Sequence, residues 1–394
     1  MNQSDRHSGA DRPYDIVLFG ATGFVGRLTA EYLAAHAPDG CRWALAGRSR
    51  TRLEALRAEL GSPDAAVLTA DSGDGQALRG LARSTRILVT TVGPYLQHGD
   101  PLVAACADAG TDYLDLSGEP EFADRSYLRH DARARETGAR LLHACGFDAV
   151  PHDLGAYYTV RQLPEGVPLR VDGFVRTNAA FSGGTFASAL GAMARGPQMV
   201  RAARERRLHE PRRPGRRARA PLGAPRFSGE TGTWALPLPT IDAQVVARSA
   251  AALDRYGPDF RYRHYASVKR LPMALGGVAA VAAGLAVAQV PQARKWLTAR
   301  YEPGTGPDAQ RRAKSWFTVR FVGEGGGRRV FTEVTGGDPG YGETAKILAE
   351  AALCLAYDEL PKTAGQVTTA AAMGDALLER LRAAGIVFRT AAVR

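Results

Sequence analysis

The sequence predicts an α/β fold: a doubly wound parallel sheet followed by a second, mixed α+β domain. Three observations predict it. Short apolar runs alternate with amphipathic stretches over the first ~145 residues. A glycine-rich turn directly follows the first apolar run. Beyond Val171 the alternation fades, and a hairpin pattern appears instead.

The apolar runs Asp15–Phe19, Trp43–Ala46, Ala65–Thr69, Ile87–Thr91, Tyr113–Asp115 and Arg140–Ala144 read as strands. Between them, Phe24–Ala35, Arg50–Leu60, Gln76–Arg83, Pro101–Ala109 and Glu121–Thr137 carry helical periodicity. Six strands separated by five helices require a parallel sheet, because parallel neighbours need long crossovers. Ligands of such sheets lie at the carboxyl ends of the strands.

At the end of the first strand stands Gly20-Ala21-Thr22-Gly23-Phe24-Val25-Gly26. Gly20 permits the tight turn, Gly23 lets the backbone approach a pyrophosphate, and Gly26 lets helix and strand pack closely. The helix N-terminus offers free amides to the anion, so Thr22, Phe24 and Val25 join the cradle. This context makes the domain, residues 14–150, a Rossmann-type dinucleotide-binding one.

The second strand ends in Gly47-Arg48-Ser49, with Arg52 beyond, where an NAD-binding chain would carry a carboxylate. A guanidinium pairs bidentately with a 2′-phosphate, so NADP(H) is the expected cofactor. Asp71, after the third strand, is placed to meet the adenine. Val92, Gly93 and Pro94, after the fourth, are placed along the nicotinamide half.

Composition narrows the class. The chain has 394 residues, 45% hydrophobic and 23% charged, as soluble globular proteins do. Its polar N-terminus, residues 1–13, has no signal-peptide core and is expected to be flexible, and a cytoplasmic location fits. The four cysteines are scattered, so no metal site or disulfide framework is expected. Much of the net charge of +11 comes from Arg195–Arg226, where eleven arginines face Glu205 and Glu210. The plain reading of that stretch is a solvated loop; the functional one is docking of an acidic partner. Nucleic acid is not expected, since no aromatic residue interleaves the arginines to stack a base.

The chain resembles the saccharopine dehydrogenase-like oxidoreductases, in particular their trans-acting enoyl reductase branch. The resemblance rests on the glycine loop, Gly47-Arg48-Ser49, Val92-Gly93-Pro94-Tyr95, and Tyr113 through Glu119. It continues through Cys145-Gly146-Phe147-Asp148-Ala149-Val150-Pro151-His152-Asp153-Leu154-Gly155, Ser182-Gly183-Gly184-Thr185 and Gly337-Asp338-Pro339-Gly340-Tyr341. It implies an NADP-binding domain, a mixed second domain, and reduction of a C=C bond in a polyketide or fatty-acyl intermediate. An acyl carrier protein is then the expected acidic partner of the arginines. Tyr95, Asp148 and His152, beside the nicotinamide half, are the candidate catalytic residues; Asp148 needs a raised pKa to hold a proton. Asp148 and His152 are equally good helix-start residues. Reduction of an imine or carbonyl is the alternative activity, and a non-catalytic lipid-associated scaffold the alternative of another class.

In residues 151–335, Val171–Thr177, Trp316–Val322 and Arg329–Val334 read as strands, the last two as a hairpin across Gly323–Arg328. Helical patterns occupy Gly184–Ala194, Ala243–Leu253, Glu343–Glu359 and Ala370–Ala384. The helices of 336–394 are expected to return to the first domain. Leu271–Ala293 holds 23 residues without a charge, between Lys269-Arg270 and Arg294-Lys295. Rich in Ala and Gly, it reads as a buried, interfacial or membrane-apposed helix and not as a span, so peripheral contact with a membrane is compatible with it. Tyr265 and Lys269 match the spacing of a short-chain dehydrogenase pair, but outside the nucleotide domain that spacing is taken as chance. A dimer is compatible with the sequence.

Overall fold

The computed structural model describes residues 12–179, 194–211, 213–290, 292 and 307–391. Its first half runs β1 (Tyr14–Phe19), α1 (Phe24–His36), β2 (Trp43–Gly47), α2 (Arg50–Glu59), β3 (Ala66–Thr69), α3 (Gly75–Ser84) and β4 (Thr85–Thr90). Then come α4 (Asp100–Ala109), β5 (Asp112–Asp115), α5 (Pro120–Thr137) and β6 (Arg140–Leu142). The six strands lie in the order β3-β2-β1-β4-β5-β6, each pair parallel. Strand order reverses between β1 and β4, which opens a crevice for a ligand there.

Alternate residues of each strand feed two cores. Ile16 and Leu18 join Leu45, Ile87, Val89 and Leu114 on one face; Val17 and Phe19 join Ala44, Ala46, Leu88 and Tyr113 on the other. Burial on both faces is why Ile16–Phe19 is an unbroken apolar run.

The second half continues with α6 (Val150–Val160), β7 (Leu169–Thr177), α7 (Gly196–His209), β8 (Arg217–Arg219), β9 (Arg226–Ser228), β10 (Thr233–Pro237) and α8 (Ile241–Ala252). After these come β11 (Asp259–Val268), α9 (Leu271–Ala288), β12 (Phe317–Gly325), β13 (Arg328–Gly336), α10 (Gly342–Tyr357), β14 (Gly365–Gln366), α11 (Gly374–Ala383) and β15 (Val387–Ala391). The second sheet has the path β15-β13-β12-β7-β11-β10-β9, with β8 also paired to β11. β12 and β13 form the expected hairpin, while β7 and β11 run parallel. The tail stitches the two sheets together. α10 packs on α1, β14 extends the first sheet beside β6, and β15 closes the edge of the second beside β13.

Two expectations are revised. Arg195–Arg226 is no loop: α7 packs along α5, and many of the arginines are consumed by acidic residues from elsewhere in the chain. Arg195 pairs with Glu121, Arg206 with Asp124 and Glu210, Arg216 with Asp254, Arg219 with Asp259, and Arg226 with Asp172. Arg206 is 3% exposed, which a guanidinium tolerates only with such partners. Of the readings of Leu271–Ala293, only burial is revised, not the interfacial or membrane-apposed one. Its described part, α9, leaves Met273 and Leu275 more than 60% exposed. Among the described residues no helix is long and apolar enough to cross a membrane. Tyr265 lies in β11, a strand, so its spacing to Lys269 puts no lysine one helical turn away. The expected helix at Gly184–Ala194 and the Ser182–Thr185 motif lie outside the described residues, as does residue 212, apart from Ala194 itself.

Candidate active site

The mouth of the first sheet is built from glycine. Gly20 adopts φ +90°, and a Cβ there would meet Val92 at 2.7 Å, so the β4-end loop rides directly on it. The Thr91 hydroxyl donates to the Gly20 carbonyl at 3.1 Å and ties the two strand ends together. A Cβ on Gly26 would stand 2.1 Å from the same carbonyl, so only glycine lets α1 start this close to the strand. Gly23 is the N-cap of α1, and no side chain caps the helix. Its first amides and its positive dipole end therefore face an anion site ready-made, and a dinucleotide pyrophosphate fits.

Past β2, Ser49 caps α2 by accepting from the Arg52 amide at 3.4 Å. Arg50 is spent on Glu54 at 2.8 Å. Arg48 and Arg52 are exposed and, among the described residues, have no carboxylate partner. They are unpaired cations that could hold a 2′-phosphate, and Gly47 keeps the strand end bare. Asp71 closes a turn by accepting from the Gly73 amide at 2.8 Å, and it is exposed beside this rim.

The fourth and fifth strand ends are wired by side chains. Gly93–Pro94 is a cis peptide, and the Glu119 carboxylate accepts from the Tyr95 and Leu96 amides, both at 3.0 Å. The Tyr95 ring is 6% exposed; its hydroxyl donates to the Thr90 carbonyl and accepts from the Leu116 amide, both at 3.2 Å. Burial and the Asp115 charge push that phenol well above its ordinary pKa. Tyr95 thus faces backbone, holding the β4 and β5 ends in register. Asp115 is buried and accepts from Tyr113, Ser117, His143 and Ala144.

Asp148 is different. It makes no hydrogen bond among the described residues, and it sits against Gly118, where an added Cβ would meet Oδ2 at 3.1 Å. It is open to solvent yet set deep among protein atoms, as a group in a cleft wall is. Burial, and then the charge of Asp242, raise it to about 6. One turn on, His152 is 2% exposed, and burial lowers it to about 4, which keeps it neutral. Its ring lies 4.6 Å from that of His264 on β11, and Asp242 of α8 is 2.6 Å from His264 Nδ1. Burial opposes the Asp242 charge, but the contacts of His264 and Thr240 outweigh it and hold the carboxyl below its ordinary value.

These three side chains are the one His/Cys/Asp/Glu group close enough to hold a metal among the described residues, within 4.8 Å of one another. Two ligands of one tetrahedral zinc at ~2.1 Å would stand ~3.4 Å apart. Asp242 and His264 Nδ1 are nearer than that, but both Asp242 oxygens, His264 Nε2 and both His152 nitrogens are buried without a hydrogen-bond partner among the described residues, while His264 Nδ1 also meets the Thr240 hydroxyl at 3.1 Å. Sequence reasoning missed both. Asp242 looks like any first-turn acid, and His264 lies in a strand of alternating arginine and aromatic residues that carried no apolar signal.

The C-terminal motif returns to this mouth. Tyr341 meets Phe24 edge-on with ring centroids 4.8 Å apart, and the Thr344 hydroxyl accepts from the Phe147 amide at 3.2 Å.

Comparison with known proteins agrees with this geometry. Residues 16–142 match the model of the saccharopine dehydrogenase NADP binding domain. A Mycobacterium tuberculosis (strain ATCC 25618 / H37Rv) protein assigned as a trans-acting enoyl reductase is 41% identical, over 96% of this chain and 98% of that one. The trans-acting enoyl reductase of Mycobacterium bovis (strain BCG / Pasteur 1173P2) is 37% identical, over 97% and 99%. Apo saccharopine dehydrogenase (L-Glu forming) from Saccharomyces cerevisiae superposes with a TM-score of 0.57, over 96% of this chain and all of that one; at 12% identity this shows the fold alone. The chain is an NADP-dependent oxidoreductase that belongs to the trans-acting enoyl reductase family and carries its saccharopine dehydrogenase-type NADP-binding domain.

Proposed function

We propose that the protein reduces the carbon–carbon double bond of a polyketide or fatty-acyl thioester, with Asp148 as the proton donor. Bound NADPH supplies hydride to the electrophilic β-carbon. The glycine loop and the α1 N-terminus would hold the pyrophosphate, Arg48 and Arg52 the 2′-phosphate, and Val92–Pro94 the nicotinamide half. Hydride addition leaves an enolate, whose α-carbon takes the proton from Asp148 Oδ; the carboxylate so formed recovers a proton from solvent through the open cleft. Buried neutral His152 and the Asp242–His264 pair keep a negative charge behind Asp148, which favours its protonated form. The single observation carrying this reading is Asp148 itself: an unpartnered, accessible carboxyl against Gly118, with proton affinity raised to about 6.

An acyl carrier is the partner in this reading. Val200, Arg201, Arg204, Arg207 and Leu208 are exposed along α7, a cationic strip with apolar flanks suited to an acidic helix. A long acyl substrate also makes peripheral contact with a membrane part of the reading.

The test is NADPH oxidation with an enoyl thioester on a carrier, the same enoyl group on a small thiol, and an imino acid. Turnover of the imino acid alone would overturn the reading, and no turnover of any would favour a non-catalytic role. Replacing Arg201, Arg204 and Arg207 with Ser is expected to slow only the carrier-bound substrate. Arg48→Asp is expected to weaken NADPH binding by about 1.5–3 kcal/mol and leave NADH binding unchanged or tighter; equal wild-type affinity for the two would remove Arg48 from the site.

A further inference from the structure

α9 places eighteen residues, Leu271–Ala288, in a helix without one polar side chain. Helices that are apolar all round are ordinarily buried. This one is not. Leu271 is 42% exposed, Met273 63% and Leu275 62%, and the helix rests mainly on β10 and β11 among the described residues. The exposure is concentrated: six of the ten large exposed apolar side chains among the described residues lie between 222 and 290. Phe227, 56% exposed on edge strand β9, extends the patch through its register partner Trp234, which pairs in turn with Val268 at the foot of the helix. A contiguous apolar surface of this kind is a contact site, not a solvent face.

What covers it is decided by its ends. Lys269 and Arg270 stand exposed before the helix, and the sequence places Arg294 and Lys295 after it. A second copy packed helix against helix would bring these cations against the same cations of its partner, whereas anionic headgroups would pair with them. Length and topology fix the orientation. Eighteen residues rise about 27 Å, short of the ~30 Å hydrocarbon layer. Both β11 and β12 belong to one sheet, on either side of β7, so the chain leaves that sheet and returns to it on the same side.

We infer that α9 and the adjoining Phe227 edge form an in-plane membrane anchor, with the apolar helix sunk below the headgroups of an anionic bilayer and Lys269 and Arg270 at its N-terminal end holding lipid phosphates. This goes beyond the proposed reaction and does not depend on it. The anchor would bring the enzyme to the surface where long acyl chains partition.

Sedimentation of the full chain with vesicles tests it. Phosphatidylglycerol/phosphatidylcholine vesicles are compared with pure phosphatidylcholine, for the wild type, for the triple variant Leu271→Ser, Met273→Ser and Leu275→Ser, and for the double variant Lys269→Ser and Arg270→Ser. The wild type is expected in the anionic pellet, and the triple variant to lose about tenfold or more of that binding. The double variant is expected to lose most of the preference for anionic over neutral vesicles, and salt to weaken what remains. NADPH affinity, read on each variant, reports that the fold survives, because the nucleotide mouth lies on the other sheet. Wild-type protein left in the supernatant with both vesicles overturns the inference. So does unchanged sedimentation of a triple variant that still binds NADPH. A wild-type dimer that the triple variant converts to monomer, read by light scattering, overturns it in favour of a second copy as the cover.

Discussion

Asp115 and Asp148 lie in neighbouring segments of the same rim, one ending β5, the other just beyond β6. Asp115 is sealed from solvent, and its oxygens accept from four groups that fix the β5 and β6 ends. Asp148 has no such partner and opens on the cleft. A carboxylate whose lone pairs are filled by fixed donors has nothing left for chemistry. One that is crowded, unpartnered and accessible is held near the point of changing its protonation. Residue type and strand-end position are shared, and the hydrogen bonds decide the role.

The sharpest way to break this contrast is to remove each charge. Asp148→Asn is expected to cut turnover about 10²–10⁴-fold, the range for loss of a general acid, with NADPH affinity unchanged. Thermal stability near neutral pH is expected to hold or rise. Burial lifts Asp148 from 3.8 to about 6 in the folded chain, so its contribution to folding is full below 3.8 and lost as pH rises through about 6. A variant as active as wild type would return the acid role to another group.

Asp115→Ala is expected to act on stability instead, by about 3–5 kcal/mol, since it leaves His143 and three further donors without their acceptor. Urea unfolding measures it, and loss of turnover without loss of stability would reverse the assignment. Next in size is the pH dependence of kcat. With Asp148 as donor, the rate is flat below about 6 and falls up to tenfold per unit above it, and the fall disappears in Asp148→Asn.

The first sheet was legible because its physics is local. Ile16–Phe19 is buried on both faces, Gly20 needs a positive φ, and Gly26 needs the absence of a Cβ; each condition leaves its mark on the residue type. The second sheet was less so. In β11, Phe260, Tyr262 and His264 face the core between Arg261 and Arg263, and Arg263 pairs with Asp172 on the neighbouring β7. Without knowledge of that partner, the strand reads as a basic stretch. The same blindness to distant acids made α7 look like a loop, because Glu121 and Asp124 that neutralise it lie some eighty residues earlier. His264 and Asp242 come together only through that sheet, so no spacing could have announced them. Asp148 was legible as a residue, but its proton affinity depends on its burial and then on Asp242, and was not.

Tyr95 gives the smallest expected effect and the finest test of the comparison, since it carries a proton and lies on the same rim. Its hydroxyl serves the Thr90 carbonyl and the Leu116 amide, so removing it leaves one donor and one acceptor to find other partners. Tyr95→Phe keeps the ring that packs 5.8 Å from Phe122 and is expected to cost about 1 kcal/mol of stability, the net worth of such hydrogen bonds. Because Leu116 leads into Gly118, against which Asp148 rests, a small displacement of that loop reaches the acid. A positioning role therefore predicts a loss of a few-fold in kcat, with the pH profile still breaking at about 6. A catalytic role predicts a loss of the size assigned to Asp148→Asn and a profile without that break. Measuring both variants on the same substrate separates the two, because only the residue that gives up the proton takes the pH break away with it.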